Sequence, residues 1–326
     1  MDEPAIALVA LLNPAGEILL LLRDDKPGIN YPGHWSLIGG HRDGEETIHE
    51  TARRETLEEI GLDLPDLRRI ATRRDQGGTG SLVAFFAGCI DQPAETLILT
   101  EGQRVQFHAP AALPAPMPAY VRAFLAEHLP RQRNPWTTAA SRPLYDNPWI
   151  AVTEHRVLNP KRKPGIYGTV HFHNRALGVV PLFDDGSTLL VGQYRYPQRL
   201  YSWEIPEGGG KLADAPRDAA ARELLEETGL VARHWRDILR MDLSNSVSDE
   251  TALAYVAWDL EQRAAAPEET EDLALWRLSL LEAYRMARDG EIWDALSVAA
   301  LLQLRLLAED GKLPDDLIRL LPWRKL

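Results

Sequence analysis

The strongest constraint on this chain is a helical segment that occurs twice. The first copy, GHRDGEETIHETARRETLEEIGL, runs from Gly40 to Leu62; the second, GGGKLADAPRDAAARELLEETGL, runs from Gly208 to Leu230. In each, an Arg-Glu pair is followed by two adjacent glutamates and a helix-ending glycine. Glu55, Glu58 and Glu59 stand at i, i+3 and i+4 and so share one helical face, and Glu223, Glu226 and Glu227 repeat the spacing. Three carboxylates on one face repel one another unless water solvates them or a divalent cation neutralises them. For one such helix alone, a solvated face is the better reading. Here the surroundings repeat too: Trp35 and Trp203, Gly40 and Gly208, Arg54 and Arg222, Gly61 and Gly229 are all offset by 168 positions. Two copies of one unit with a cation at each glutamate face account for this pattern, and all-oxygen ligands suit Mg²⁺ or Mn²⁺.

The 326 residues suit two ordinary domains, and an apolar content of 45% suffices for two cores. Net charge is −12. It divides evenly at Arg133, with 13 basic and 19 acidic residues before and 23 and 29 after. Neither half resembles a nucleic-acid arm, so a long polyanion is not the expected partner. A small polyphosphate is compatible, because bound metal reverses the local field. The single cysteine, Cys89, excludes an internal disulfide framework and reads as a packed strand residue. The acidic start lacks the basic region of a signal peptide, and no apolar run reaches membrane-spanning length. A cytoplasmic protein is therefore expected.

Along the chain, Ala5–Leu12 and Glu17–Leu22 read as strands joined by the turn Asn13-Pro14-Ala15-Gly16. Thr47 and Glu50 form a potential capping box, and Gly61 a C-terminal cap. Ser81–Ile90 reads as a strand, Thr96–Leu99 as the start of another, and Ala119–His128 as a helix. The first domain is expected over residues 1–133, a linker rich in Pro, Asn, Arg and Ser over 134–148, and the second domain over 149–326. In the second, strands are expected near 149–158 and 167–173. The hairpin 176–183 and 188–194 then repeats the opening of the first unit. Pro216 fits only a first helical turn, and 294–308 reads as an amphipathic helix.

Both segments resemble the Nudix box, G-x5-E-x7-R-E-U-x-E-E-x-G-U with U aliphatic. The first copy supplies Gly40, Glu46, Arg54, Glu55, Glu58, Glu59, Gly61 and Leu62, departing at Thr56. The second supplies Gly208, Arg222, Glu223, Leu224, Glu226, Glu227, Gly229 and Leu230, departing at Asp214, one methylene short of Glu. The resemblance implies an α/β fold of two tandem Nudix α/β/α sandwiches, each around a mixed β-sheet. It implies metal-dependent hydrolysis of a nucleoside diphosphate linked to a group X, with one to three Mg²⁺ or Mn²⁺ ions per site. By resemblance, Glu55, Glu58 and Glu59 hold metal in the first site and Glu223, Glu226 and Glu227 in the second. The carbonyls of Gly39 and Glu207 add ligands, and Arg54 and Arg222 orient box glutamates.

The halves differ outside the box. The second resembles the ADP-ribose pyrophosphatase branch through Gln193–Pro197, Trp203–Pro206, Ser248-Asp249-Glu250, 268–272 and Gly290–Ala295. That resemblance implies a catalytic base at Glu269 or Glu268, a further acidic residue at Glu250, and substrate contacts from Arg195 and Trp203. Asn245 stands where that branch usually carries proline, which leaves other nucleoside diphosphate sugars open beside ADP-ribose. The first half looks like the compact MutT-like nucleoside triphosphate branch, with Trp35 as a substrate contact and Glu101 as a late metal ligand or base. Two active domains are expected, since no metal glutamate is missing from either box. One active and one regulatory domain is the alternative, and a purely structural protein the least favoured. The resemblance also implies a homodimer formed through the second domain.

Overall fold

The computed structural model describes residues 4–44, 46–75, 79–129, 134–264 and 272–325. It divides into two compact units, 1–135 and 136–326.

The first unit is built on β1 (Ile6–Leu12), β2 (Ile18–Leu22), β3 (Trp35–Ser36), β4 (Arg68–Arg74), β5 (Leu82–Cys89) and β6 (Arg104–His108), with α1 (Ile48–Ile60) and α2 (Ala119–His128). Its sheet runs β3-β2-β1-β5-β4, with β6 on β2. Strand β1 pairs β5 in parallel and the other pairings are antiparallel, so the sheet is mixed. β1 is apolar at every position because both its faces are covered. Ala7, Val9 and Leu11 pack with Ile48, Ala52 and Ile60 of α1. Ile6, Leu8, Ala10 and Leu12 pack with Val121, Phe124 and Leu125 of α2. This places a helix on each face of the sheet.

Helix α1 begins with the expected capping box: Glu50 N donates to Thr47 Oγ1 at 3.1 Å and Thr47 N to Glu50 Oε2 at 2.7 Å. It ends at Gly61 with φ 73°. Thr56, the departure from an aliphatic residue, is fully buried, and its hydroxyl donates to the Ala52 carbonyl at 2.7 Å. The i−4 carbonyl thus satisfies a polar atom in an apolar position.

The second unit repeats this plan and adds to it. Strands β7 (Thr137–Asp146), β8 (Ile150–Leu158) and β9 (Pro164–Phe172) form an antiparallel sheet of their own. Then follow β10 (Asn174–Leu182), β11 (Ser187–Arg195), β12 (Leu200–Glu204), β13 (Glu207–Lys211), α3 (Pro216–Thr228), β14 (Leu230–Asp242), β15 (Thr251–Gln262) and β16 (Ala274–Ser279). Helices α4 (Leu280–Asp289), α5 (Ala295–Glu309) and α6 (Asp315–Leu320) close the chain. β10 pairs β15 in parallel, as β1 pairs β5. Leu177 and Val179 pack with Ala220 and Leu224 of α3, while Val180 and Leu182 pack with the apolar faces of α4, α5 and α6. Pro216 sits in the first turn of α3, where its missing N–H costs nothing.

Three expectations need correction. Residues 134–148 are not a linker throughout, because 137–146 form β7; a polar strand exposed on both faces has no apolar alternation to announce it. Residues 96–99 do not begin a strand: a single 3₁₀ turn spans Ala94–Thr96. Cys89 ends β5 exposed rather than packed.

Candidate active sites

In the first unit, the strand-to-loop passage through Gly39 and Gly40 runs against the carboxylate face of α1. Gly39 N donates to Glu59 Oε2 at 3.0 Å. Gly39 has φ 135°, and a Cβ there would lie 2.1 Å from the Ala7 carbonyl oxygen, so only glycine fits. A Cβ on Gly40 would lie 2.5 Å from Glu55 Oε1. Arg54 binds Glu46, Glu55 and Glu58, each at 2.8 Å, and the His41 carbonyl at 2.8 Å. This fan of contacts fixes the glutamates in place and keeps Arg54 itself turned toward protein groups.

Glu59 is 5% exposed. Burial raises its pKa from 4.5 to about 8, opposed by the Gly39 N–H and reinforced by the charges of Glu55 and Glu101. Burial likewise raises Glu55, with Arg54 opposing. At Glu46 burial also pushes upward, but Arg54 and the Asp43 N–H outweigh it and hold the group low. Two carboxylates that resist ionisation, Glu55 and Glu59, gathered with Glu58 and a fourth acid, are a donor set a hard cation stabilises.

Glu101 is that fourth acid. Thr100 N donates to the Glu59 carbonyl at 3.1 Å, Thr100 Oγ1 bonds the Glu58 carbonyl, and Gln103 N bonds Leu22. These contacts bring the Glu101 turn to the end of α1. Glu55, Glu58, Glu59 and Glu101 line a cleft of about 370 Å³, together with Gly39 and Gly40. Arg23, Asn30, Tyr31, Asp75 and Tyr120 also line it. Arg23 Nε is buried without a hydrogen-bond partner among the described residues. Trp35 does not line the cleft: it is 5% exposed, packed in the core edge-on to His108, and Arg104 covers its ring. The expectation that Trp35 touches substrate is therefore corrected; its place on β3 turns the ring inward.

The second unit repeats the hinge between backbone and buried glutamate. Glu207 N donates to Glu227 Oε2 at 3.0 Å, and Glu227 is 3% exposed. A Cβ on Gly208 would lie 2.1 Å from Glu223 Oε2. Arg222 pairs with Glu223 at 2.7 Å and Glu226 at 2.8 Å and donates to the Gly209 carbonyl at 3.2 Å. The fourth anchor is missing: Asp214 makes no hydrogen bond or ion pair with Arg222 among the described residues, and the Arg222 side chain is 45% exposed against 24% for Arg54. Instead the loop before α3 is held from inside. The buried guanidinium of Arg175 donates to the carbonyls of Leu212 at 2.9 Å and Asp214 at 3.1 Å.

Arg195 lies between acids. Its Nε donates to both Glu204 oxygens at 3.0 Å, and its Nη2 bonds Glu204 and Glu207. Glu204, Glu207 and Asp294 bring carboxylate oxygens within 4.8 Å of one another. Burial, then Asp294 and Glu204, push Glu207 well above the usual carboxylate range. Trp203 is half-buried, edge-on to Tyr201 and Trp276. Glu250 is half-buried on the turn into β15, raised by burial and then by Asp249. Glu268 and Glu269 lie outside the described residues. In the sequence, Glu269 stands 168 positions after Glu101, the same offset as the boxes.

The NUDIX domain model matches residues 1–131 and again 172–301, which together make up most of the chain. The chain belongs to the NUDIX domain family. Between the two Nudix matches, residues 136–170 match the nucleoside diphosphate sugar hydrolase N-terminal domain, the stretch that forms β7 to β9. Among curated relatives, an ADP-ribose pyrophosphatase of Mycobacterium tuberculosis is 34% identical over 133 residues, 40% of this chain and 64% of that protein. A methanol dehydrogenase activator of Bacillus methanolicus is 32% identical over 136 residues, 41% of this chain and 74% of that protein. An RNA pyrophosphohydrolase of Dinoroseobacter shibae is 41% identical over 58 residues, 18% of this chain and 35% of that protein. A solved ADP compounds hydrolase covers 55% of this chain and 97% of its own at 22% identity and TM-score 0.49. No helix among the described residues is long and apolar enough to cross a membrane.

The structure thus brings together the sequence-predicted Glu55, Glu58, Glu59, Gly39, Arg54 and Glu101, and separately Glu223, Glu226, Glu227, Glu207 and Arg222. Arg23, Tyr31, Asp75 and Tyr120 in the first cleft, and Asp294 and Glu204 beside Arg195, were not anticipated. No spacing rule joins these residues, since each comes from a different loop, strand end or helix start.

Proposed function

We propose that each unit is an independent Mg²⁺- or Mn²⁺-dependent pyrophosphohydrolase. On this reading the first cleaves a nucleoside triphosphate, and the second cleaves ADP-ribose or another nucleoside diphosphate sugar. The observation that carries the reading is the doubled geometry: a buried glutamate on a backbone N–H, two further box glutamates, and an arginine clamping them. In the first unit, Glu55, Glu58, Glu59 and the Gly39 carbonyl would hold the cation. In the second, Glu223, Glu226, Glu227 and the Glu207 carbonyl would do so. A bound cation supplies charge neutralisation at phosphoryl oxygens and an acidified water.

The protein's own groups do the rest. Arg23 lines the first cleft, its Nε without a hydrogen-bond partner among the described residues, and is the cation proposed to meet a phosphate there. Glu101 accepts a proton or joins the ligand set there. In the second unit Glu269 is the proposed base, with Glu268 and Glu250 as further acidic candidates. Arg195 is balanced by Glu204 and Glu207 and so serves first to orient them. Similarity to ADP-ribose pyrophosphatases and the match of residues 136–170 support the second substrate class. The shorter span of the first unit, 1–135 against 136–326, supports the first class.

The test is product analysis by phosphorus NMR in ¹⁸O-water, with ATP, GTP, ADP-ribose and UDP-glucose as substrates. A nucleoside monophosphate carrying or lacking the label, formed only when Mg²⁺ or Mn²⁺ is present, is expected. Undiminished turnover after exhaustive chelation sinks the reading.

A further inference from the structure

The wall of the first cleft includes a tyrosine in an unusual backbone conformation. Tyr31 has φ 55°, a region that bulky L-residues rarely enter. The position is held by contacts. Tyr31 Oη donates to Asp75 Oδ1 at 2.7 Å, and the Asp75 side chain, 3% exposed, also accepts from Thr79 N at 3.1 Å. The Tyr31 ring lies 6.0 Å from the ring of Tyr120, tilted by 47°, and 5.7 Å from His34. Both tyrosines line the cleft, as does Arg23. The corresponding left-handed position of the second unit, 168 residues on, is Arg199 at φ 58°, and the residue matching Asp75 is Leu243. The wall therefore belongs to the first unit alone.

We propose that Tyr31 and Tyr120 form the surface on which the first unit stacks the base of its nucleotide, with Asp75 as the residue that positions Tyr31. This rests on the nucleotide-hydrolase reading above. A ring separation of 6.0 Å leaves no room for a base between the tyrosines, so the base lies across their cleft-facing surfaces. The Tyr31 hydroxyl is committed to Asp75, and each Asp75 oxygen already accepts a bond. What Tyr31 brings to a base is thus its ring. A sugar, with several hydroxyls to satisfy, gains little from it; a base of any kind presents a π-face. The first unit is accordingly selective for nucleoside polyphosphates over base-free polyphosphates.

The experiment uses the full chain carrying Glu227→Gln, with ATP, GTP, CTP, UTP and inorganic tripolyphosphate as probes. Tyr31→Leu and Tyr120→Leu should each raise KM for all four nucleotides about tenfold with kcat nearly unchanged, and leave tripolyphosphate unaffected. Tyr31→Phe keeps the ring and should fall between wild type and Tyr31→Leu; Asp75→Asn should match Tyr31→Phe. Unaltered nucleotide KM in both leucine variants, or an equal loss on tripolyphosphate, overturns the proposal. If the first unit turns over none of the probes, the hydrolase reading fails, and calorimetric titration with the same nucleotides decides the wall. Equal Kd for wild type and Tyr31→Leu then overturns it, and about tenfold weaker binding by Tyr31→Leu supports it.

Discussion

Glu59 gains from a cation because its carboxylate is buried beside other acids. Its folded pKa of about 8 lies above the ordinary 4.5, so between these values the folded state holds a proton that the unfolded state has released. Stability without metal should therefore fall as pH rises from about 4.5 toward 8. Thermal melting from pH 5 to 8 should show this slope in the chelated protein. Mg²⁺ should flatten it, and Glu59→Gln should flatten it without metal. A chelated wild-type slope identical to that of Glu59→Gln would contradict the assignment. The glutamates and Arg54 were legible in the sequence because helical spacing places them on one face. Trp35 was misread because a position just ahead of a box does not reveal which sheet face a side chain takes. Arg23, Tyr31, Asp75 and Tyr120 were illegible because their proximity is made only by the closing of the sheet.

At the scale of elements, the two box helices differ at their starts. Helix α1 carries a full capping box at Thr47, whereas α3 has Ala215 at its N-cap with no side-chain bond. Thr47→Ala should cost about 1 kcal/mol, and Ala215→Ser should add a few tenths to about 1 kcal/mol. Urea denaturation followed by circular dichroism checks both, and opposite signs are required. Gly39→Ala should abolish the first activity, since its φ and the Ala7 carbonyl both exclude a side chain. Helices α1, α2, α3 and α5, the opening hairpins and strand β5 were readable from apolar runs and caps, whereas α4 and α6 and the parallel pairing of the central strands were not. Strand β7 was not: nine of its ten residues are exposed, and its Pro, Arg and Ser composition is that of a loop.

For the whole molecule, the sheet β7-β8-β9 poses the question of what covers it. Leu144, Tyr145, Trp149 and Ile166 are 52%, 55%, 65% and 71% exposed on or beside it. Exposed apolar side chains on a three-stranded sheet favour association through the second unit. Light scattering at micromolar concentration should give about twice the 36.5 kDa chain mass, and a chain lacking residues 136–170 should not dimerise. A wild-type monomer would contradict this. The central claim, two sites that work separately, is tested most directly by assaying Glu59→Gln and Glu227→Gln against one panel of nucleoside triphosphates and nucleoside diphosphate sugars. Glu59→Gln should lose triphosphate cleavage and keep sugar-nucleotide cleavage, and Glu227→Gln should do the reverse. Loss of both activities in either single variant, or loss of neither, would contradict two independent hydrolases.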